Sequence, residues 1–582
     1  MKKIINSPES VVMEMCRGIV MAHPELELLP RYKVIKRKKM NPDKVTLISG
    51  GGSGHEPAHA GFVGTGMLDA AVCGDVFASP SQVQVYQAIK STAGNKGTLL
   101  IIKNYSGDMM NFKNAAYMAQ EDGIDVDYVK VDDDVAVKDS LYTVGRRGVA
   151  GTVLVHKVAG AAAEKGWSLA EVKKAAEHAA ESVRSIGFAL TSCTVPAKGT
   201  PTFDIGDNEM EYGVGIHGEP GIQREPAASA DVLAERMVDD LLKEWDSTEG
   251  MKVTVLVNGF GATPLQELYL FNNSVVDVLK KRGIEIHRIF VGNYMTSIDM
   301  AGASLSLLKM DDQLEELLDS ESRTPAFSVA GKPEPLVCPE IPQAIQQGET
   351  DDYAVDAASG DAAIQGDKIT LNNILFLVDK MSEVIIKNEV PFCELDSHAG
   401  DGDFGMSVAK GFKQLKREWK ELLSEHVSSI GDFLQACSMI IMEYCGGASG
   451  PIWGSAFRAA GRCAGDKKEV TAEEFAEMLH AVTVGIQKTG ERSFGRGADI
   501  GDKTLMDAWI PCAKAWENPA GKSWKELFEA GARAAVEGAD SPKTIVARMG
   551  RDGTVGERSI GYPDAGAYAL GVIFTELSNA VK

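Results

Sequence analysis

Three aspartates stand within eight positions on a glycine-rich turn, at Asp396, Asp401 and Asp403. Like charges this close repel one another unless a cation joins them, and carboxylate oxygens suit Mg²⁺, which also bridges phosphates. The spacing does not fit the calcium loop of an EF-hand. We therefore predict a magnesium site here, with a solvated acidic turn as the alternative.

A single histidine, His217, lies among glycines in the run 213–221. An unencumbered neutral imidazole can act as a nucleophile or a general base. Gly213, Gly215 and Gly218 match the G-x-G-x-x-G pattern, but Pro220 follows where a helix should run, so a dinucleotide site is disfavoured. The alternative is an ordinary histidine in a surface loop.

Two further loops follow predicted strands. The run 49–57 is rich in glycine, which lets backbone N–H groups approach a ligand closely. Lys103 and Asp108 share the second loop, where they can bind a polar ligand and move a proton. A tight turn and a loop ion pair are the alternatives. His55 and His59 spell H-E-x-x-H, but Pro57 between them disfavours the helix that a zinc protease needs.

Glycine-rich junctions at 446–451, 497–504 and 551–566 separate predicted helices in the second half of the chain. Ser449 and Thr504 stand where new helices begin, so exposed N–H groups there can hold phosphate. Simple helix capping is the alternative. Beside the aspartate cluster, these junctions favour a nucleotide–Mg²⁺ site.

The elements that position these residues differ between the two halves of the chain. Strand-like runs at 45–49, 97–103 and 253–258 alternate with helix-like runs at 81–90, 115–121 and 169–186, which indicates an α/β domain. From residue 367 onward, strand-like runs disappear from the sequence. Apolar residues at helical spacing then predict an all-α domain, with helices at 406–424, 430–445, 452–464, 472–488, 504–516, 522–538 and 564–580.

Residues 333–367 contain no Lys or Arg, eight Asp or Glu residues and four prolines near their start. Such a stretch is poorly suited to forming a hydrophobic core, so its composition indicates an interdomain linker. A long surface loop is the alternative, although loops of this length are uncommon in compact domains. The predicted organisation is an α/β domain at 1–332, a linker at 333–366 and an all-α domain at 367–582.

Composition limits the partners of the chain. Its 582 residues carry 82 acidic and 60 basic side chains, a net charge of -22, which disfavours nucleic acid and membrane surfaces. No apolar run approaches the roughly 18 residues of a membrane helix, and no signal-peptide h-region follows Lys2 and Lys3. Nine scattered cysteines without a C-x-x-C pair indicate a reduced chain, and we expect a cytoplasmic protein.

Several of these motifs together resemble the dihydroxyacetone kinases. The likeness lies in the runs 47–59, 71–80 and 215–221, in the aspartate turn and in Gly501-Asp502-Lys503-Thr504. It covers nearly the whole chain except the linker. The resemblance implies an α/β K domain that holds a ketose and an α-helical barrel L domain that holds ATP. It also implies a homodimer through the K domains.

The resemblance also implies residue roles. His217 would form a covalent hemiaminal with the ketone, Asp108 would act as general base and His55 would assist. Asp396, Asp401 and Asp403 would hold two Mg²⁺ ions that bridge the ATP phosphates. The implied substrate-binding residues are Gly52, Ser53, Gly54, His55, Lys103 and Asp108. The implied nucleotide-binding residues are Phe404, Gly405, Met406, Ser407, Ala448, Ser449, Thr504, Arg551, Asp564 and Gly566.

The sequence departs from the family pattern at Asp552, Gly553, Tyr562 and Ala565, all on the nucleotide side. Our main hypothesis is an ATP-dependent kinase of dihydroxyacetone or a close short-chain ketose, because the fused L domain favours direct use of ATP. The alternatives are a kinase of a larger ketose such as erythrulose, a cyclising cleavage of FAD to cyclic FMN, and a non-catalytic regulator that senses dihydroxyacetone.

Overall fold

A computed structural model describes residues 2–137, 145–219, 221–340, 353–425, 427–549, 553 and 556–582. The chain divides into two compact units, which meet between Pro339 and Glu340. The first unit is α/β and the second is helical, as predicted. Among the described residues, no helix has both the length and the apolar character that a membrane crossing requires.

The first unit contains two six-stranded sheets. The first sheet has the order β1-β2-β4-β3-β5-β6, and its strands are β1 (Leu26–Leu29), β2 (Val34–Arg37), β3 (Thr46–Ser53), β4 (Ala70–Val76), β5 (Thr98–Lys103) and β6 (Val126–Val131). Strand β3 runs parallel to both β4 and β5. The loops after β3 and β5 therefore leave the same edge of the sheet, where the sequence places its ligand loops.

The second sheet has the order β11-β10-β12-β7-β8-β9. Its strands are β7 (Val183–Ala189), β8 (Glu209–Tyr212), β9 (Gln223–Pro226), β10 (Lys252–Gly259), β11 (Glu285–Gly292) and β12 (Gly302–Lys309). A two-residue pair, β13 (Ser322–Arg323) and β14 (Ser328–Val329), follows. The turn between β8 and β9 carries His217, so the second sheet supplies the reactive histidine.

Eight helices pack with these sheets. They are α1 (Val11–Ala22), α2 (Gln82–Thr92), α3 (Ser106–Glu121), α4 (Thr152–Glu164), α5 (Leu169–Ser182), α6 (Ala230–Leu242), α7 (Leu265–Lys281) and α8 (Asp312–Asp319). The predicted helix at 169–186 is too long, because Val183 to Ile186 belong to β7. There the backbone pairs with β12, and the β-branched Val183 and Ile186 suit a buried strand.

The second unit is a ring of helices. Its described helices are α9 (Leu371–Lys387), α10 (Glu389–Asp396), α11 (Phe404–Arg417), α12 (Trp419–Glu425), α13 (Ile430–Tyr444), α14 (Ser449–Ala464), α15 (Ala472–Phe494), α16 (Met506–Lys514), α17 (Trp524–Asp540) and α18 (Ala565–Ala580). Helices α13 to α18 pack in chain order, α18 packs on α9, and α9 reaches α13 through α11, which closes a barrel. The predicted absence of strands is wrong only for the short pair β15 (Lys368–Thr370) and β16 (Glu469–Thr471).

Part of the predicted linker folds onto the helical unit. The Ala357 N–H donates to Glu383 Oε2 at 2.9 Å, and the Ala358 and Ser359 N–H groups donate to Asp379 Oδ2 at 3.0 and 2.8 Å. Asp379 is fully buried, so these hydrogen bonds satisfy a carboxyl group in the core. The domain limits 1–332, 333–366 and 367–582 stay predictions, but the helical unit includes residues on the N-terminal side of 367.

Candidate active site

The first unit brings His217 against two partners. His217 Nε2 lies 3.0 Å from His55 Nε2, and His217 Nδ1 lies 2.9 Å from Glu219 Oε1. The other nitrogen of His55, Nδ1, lies 2.8 Å from the carbonyl oxygen of Thr296. His55 and Glu219 are buried, whereas the His217 side chain stays 18% exposed and open to a ligand.

These contacts fix where the protons lie. A carbonyl oxygen only accepts, so His55 Nδ1 carries a hydrogen, and the Glu219 carboxylate requires one on His217 Nδ1. Burial and the charges of Lys103 and His217 keep the pKa of His55 well below its ordinary value, so the His55 ring is neutral and its Nε2 lone pair faces His217 Nε2.

Glu219 is ionised beside His217. Burial works against its carboxylate, but the charge and hydrogen bond of His217, with the charge of Arg147, lower its pKa to about 2. Gly218 has a φ of +75°, which favours glycine and lets the chain reverse so that Glu219 faces His217. Gly215 leaves room for this arrangement, since a Cβ there would lie 2.0 Å from Glu219 Oε2.

Aromatic rings surround the reactive imidazole. The centroids of Phe77 and Tyr105 lie 5.0 and 4.8 Å from that of His217, both edge to face. His217 opens into a cavity of about 600 Å³ that is also lined by Gly52, Phe77, Ser79, Tyr105, Asp108 and Glu219. This volume is ample for a three- or four-carbon ligand.

Lys103 and Asp108 lie side by side behind Gly51. A Cβ on Gly51 would lie 3.1 Å from Lys103 Nζ and 3.5 Å from Asp108 Oδ2. Lys103 Nζ and Asp108 Oδ1 are buried and make no hydrogen bond to the described residues. Burial raises the pKa of Asp108 against the opposing charge of Lys103, and burial lowers the pKa of Lys103. Both groups are thus set to bind and exchange protons with a polar ligand.

The structure separates some of the residues that the sequence grouped. Gly52 lines the cavity with His217, whereas Ser53 and Gly54 line a neighbouring cavity on the other side of their loop. The Ser53 hydroxyl donates to the carbonyl oxygen of Gly74 at 2.7 Å. His59 turns away from His55, and its Nδ1 contacts His156 Nε2 at 2.9 Å.

The helical unit gathers the three aspartates. Asp396 ends α10, Asp403 directly precedes α11, and one ligand atom from each of Asp396, Asp401 and Asp403 lies within 4.8 Å of the others. Three hard oxygen donors at this separation fit a magnesium ion, which binds through a few carboxylates plus phosphates and water. No other cluster of metal-ligand side chains of this size occurs in the described parts of the chain.

A cavity of about 180 Å³ adjoins this cluster. Seven of the predicted nucleotide-binding residues line it, together with Asp396 and Asp403: Phe404, Ser407, Ala448, Ser449, Thr504, Asp564 and Gly566. Gly405 and Met406 do not line it, since Gly405 faces the backbone of α10 and Met406 is exposed. Arg551 and Asp552 lie outside the described residues.

Two of the positions that depart from the family pattern, Tyr562 and Ala565, have described surroundings. The Tyr562 ring stacks on that of His398, with centroids 4.0 Å apart and an interplanar angle of 11°. Ala565 begins α18, and Asp564 before it accepts a hydrogen bond from the Ala567 N–H at 2.7 Å. The Tyr562 ring therefore packs against the turn between Asp396 and Asp401, where His398 lies.

Three functional residues escaped the sequence analysis. Glu219 lies in the quoted loop only two positions after His217, so its spacing was a usable signal. Phe77 and Tyr105 come from β4 and β5 loops, and nothing in the sequence shows that their rings meet His217.

Comparison with known proteins finds a family domain in each half of the chain. The Dak1 domain model matches residues 17–326 and the DAK2 domain model matches residues 398–579. The chain is 52% identical over 314 residues to the dihydroxyacetone-binding subunit DhaK of a PTS-dependent dihydroxyacetone kinase from Listeria innocua, which covers 54% of this chain and 95% of that protein.

Two full-length matches follow. The triokinase/FMN cyclase of Rattus norvegicus is 34% identical over 100% of this chain and 99% of its own length. The crystal structure of the dihydroxyacetone kinase from C. freundii in complex with AMP-PNP and Mg²⁺ shares 30% identity and a TM-score of 0.62, with 99% of both chains covered.

These matches and the two sites define a kinase that transfers a phosphoryl group to an alcohol. The chain belongs to the dihydroxyacetone kinase family, in the form that joins a Dak1 and a DAK2 domain in one chain.

Proposed function

We propose that this protein phosphorylates dihydroxyacetone, or a close short-chain ketose, with ATP while the ketose is held as a hemiaminal on His217. The observation that carries the proposal is the Glu219–His217–His55 contact series, which orients the His217 imidazole at the wall of a small cavity. An imidazole adds to a carbonyl, so glycerol, which has no carbonyl, would not be captured.

The capture step balances in atoms and charge. The lone pair of His217 Nε2 attacks the ketone carbon, and the carbonyl π electrons move to oxygen. That oxygen takes a proton from solvent, to which the His217 side chain remains 18% exposed. The substituted ring keeps its hydrogen on Nδ1 and is an imidazolium, so Glu219 stabilises the product through the 2.9 Å contact.

Phosphoryl transfer then needs a general base and positive charge that neutralises the phosphates of ATP. Asp108, which lines the same cavity, accepts the proton of a ketose hydroxyl as that oxygen attacks the γ-phosphorus of ATP. Asp396, Asp401 and Asp403 would hold two Mg²⁺ ions, which supply charge neutralisation for the phosphates. This remedy suits a chain with a net charge of -22.

The test is ADP release from Mg-ATP with dihydroxyacetone, glyceraldehyde, erythrulose and glycerol, for the unmodified protein and for His217→Ala. We expect turnover with the ketoses and none with glycerol. We also expect ¹³C NMR of dihydroxyacetone labelled at the central carbon to show loss of the ketone signal on binding, and both results to disappear in the variant.

The matched control is His178→Ala, which removes an exposed histidine that contacts Asp311 in the same unit. It should leave both readouts unchanged. A higher kcat/KM for erythrulose than for dihydroxyacetone would assign the larger ketose as substrate. Turnover that survives in His217→Ala would rule out the covalent capture, and cleavage of FAD in place of any ketose turnover would rule out the kinase proposal.

A further inference from the structure

Arg147 is a fully buried cation in the α/β unit, with 0% of its side chain exposed. It does not line the cavity beside His217, and neither step of the proposed reaction uses it. A buried guanidinium is costly unless carboxylates and carbonyl oxygens surround it. The partners of Arg147 therefore show where its charge and its hydrogen bonds act.

Asp134 is the counterion of Arg147. The Arg147 Nε donates to Asp134 Oδ2 at 2.7 Å, and Nη2 lies 2.7 Å from the same oxygen. The other carboxylate oxygen, Oδ1, accepts the Ala136 N–H at 2.9 Å. Burial raises the pKa of Asp134 to about 6 against the opposing charge of Arg147, so the carboxyl group is ionised at neutral pH. This ion pair holds the guanidinium in one orientation.

Arg147 also reaches the turn that carries His217. Its Nη2 donates to the carbonyl oxygen of Gly213 at 2.7 Å. Gly213 directly follows β8, and its own N–H donates to the carbonyl oxygen of Gly187 in β7 at 2.7 Å. The start of the turn is therefore fixed on both sides, by β7 and by Arg147, four residues before His217.

The remaining guanidinium nitrogen, Nη1, lies beside Glu219. It is buried and makes no hydrogen bond to the described residues. A Cβ on Gly215 would lie 2.0 Å from Glu219 Oε2 and 2.6 Å from Arg147 Nη1, so both atoms lie against the same glycine. Oε2 accepts the His217 N–H at 2.9 Å, and Oε1 lies 2.9 Å from His217 Nδ1.

This position lets Arg147 act on the charge of Glu219. Burial opposes ionisation of Glu219, but the charge and hydrogen bond of His217, with the charge of Arg147, lower its pKa to about 2. An ionised carboxylate only accepts hydrogen bonds, so it requires a hydrogen on His217 Nδ1. Arg147 thus favours the state of Glu219 that defines the His217 ring.

We propose that Arg147 is a positioning residue for capture of the ketose: it fixes the turn before His217 and keeps Glu219 directed as a carboxylate at His217 Nδ1, so that Nε2 is the nitrogen that faces the ketone. This inference rests on the proposed function and adds to it a residue that acts through Glu219 and Gly213.

The test uses the full-length protein with both buried charges removed, Arg147→Met together with Asp134→Asn. Removal of one partner would leave an unpaired charge in the core, whereas removal of both often changes stability little. We expect the ¹⁵N resonance of His217 Nδ1, recorded on histidine-labelled protein without ketose, to shift toward that of a ring nitrogen without a hydrogen. We expect dihydroxyacetone affinity, measured by calorimetry, to fall about 10-fold or more, since hydrogen bonds to charged groups are lost.

The midpoint of thermal unfolding is recorded beside both readouts, because a merely structural role would lower that midpoint and leave the Nδ1 resonance in place. The matched control removes another buried ion pair of the same unit, Lys44→Met together with Asp69→Asn. Lys44 Nζ lies 2.6 Å from Asp69 Oδ2, and neither residue lines the cavity beside His217. Both readouts should stay as in the unmodified protein.

Arg147→Lys separates the two contributions of Arg147. Lysine keeps the positive charge but has one nitrogen where the guanidinium has three, so it cannot bind Asp134 and Gly213 in the same way. We expect the His217 Nδ1 resonance to stay in place and dihydroxyacetone affinity to fall. This variant also decides the proposal if the double variant does not fold, since an unchanged affinity in Arg147→Lys would then refute it.

The outcomes separate this inference from the proposed function. Unchanged dihydroxyacetone affinity in the double variant would refute the role of Arg147 and leave the kinase proposal standing. Lower affinity with an unmoved Nδ1 resonance would also refute it, because Arg147 would then be structural only. If the unmodified protein binds no dihydroxyacetone but the Nδ1 resonance moves in the double variant, Arg147 positions the His217 ring and the capture proposal is refuted instead.

Discussion

At the scale of single residues, we expect the charge on Glu219 to determine how tightly the ketose is bound. Glu219→Gln keeps the size of the side chain but leaves the His217 imidazolium without its counterion. We expect ketose affinity to fall about 10- to 100-fold, since hydrogen bonds between charged groups contribute about 1.5–3 kcal/mol. Calorimetric titration with dihydroxyacetone measures the effect, and an unchanged dissociation constant would refute this role of Glu219.

We expect the Asp108 carboxyl group to determine how kcat falls at low pH. Burial raises the pKa of its carboxyl group, and the base form is lost as the pH falls through that value. We therefore expect the acid limb of kcat, measured at saturating ketose, to begin at a higher pH than the value of about 3.9 for a free aspartate would allow.

The matching variant is Asp108→Asn, which removes the base and retains the shape. It should lower kcat about 10²- to 10⁴-fold, in the range typical of a general base. An acid limb that persists unchanged in the residual activity of this variant would show that another group titrates.

Sequence reasoning reached His217, His55, Asp108 and the three aspartates because each belongs to a motif that is local in the chain. It missed Phe77 and Tyr105, whose positions beside His217 depend on how two sheets meet. The orientation of Ser53 could not be predicted from the sequence either, because its hydroxyl donates to the carbonyl oxygen of Gly74 on the neighbouring strand.

At the scale of elements, a buried carboxylate holds the loop before α16. Asp507 accepts hydrogen bonds from the Gly501 N–H at 2.6 Å and from the Thr504 N–H at 2.7 Å. Asp507→Ala leaves both donors without a partner and frees the loop that carries Thr504 along the nucleotide cavity. We expect ATP affinity to fall about 10-fold and ketose affinity to stay unchanged.

Titration with AMP-PNP and with dihydroxyacetone measures both affinities. Asp466→Ala, at an exposed position of the same unit, is the control and should change neither. A loss of ketose affinity in Asp507→Ala would contradict the assignment of nucleotide binding to this loop.

Most helices and strands could be predicted because their apolar residues follow a clear period. The failures lie where tertiary pairing overrides that period. Val183 to Ile186 continue a helical pattern but pair with β12, and the three-residue strands β15 and β16 are too short to show alternation. Their pairing joins parts of the chain about a hundred residues apart, which local patterns do not reveal.

At the scale of the whole molecule, the residues of the proposed capture and those of the proposed metal site lie in different units. The clustered Asp396, Asp401 and Asp403 lie in the helical unit, and the cavity beside His217 lies in the α/β unit. We expect chelation of divalent metal to abolish ADP release without weakening dihydroxyacetone binding, and added Mg²⁺ to restore release. Asp403→Asn should resemble chelation. Loss of ketose binding on chelation would show that metal also supports the first unit.

The hydrogen bonds that residues 357–359 make to Asp379 and Glu383 determine where this polypeptide can be divided. A cut at 367, where the sequence composition changes, would remove three N–H donors from the helical part. The buried side chains of Asp379 and Glu383 would then lose these hydrogen bonds. A cut before Asp356 would keep these three hydrogen bonds within the helical part. Division of the polypeptide therefore belongs upstream of the change in composition.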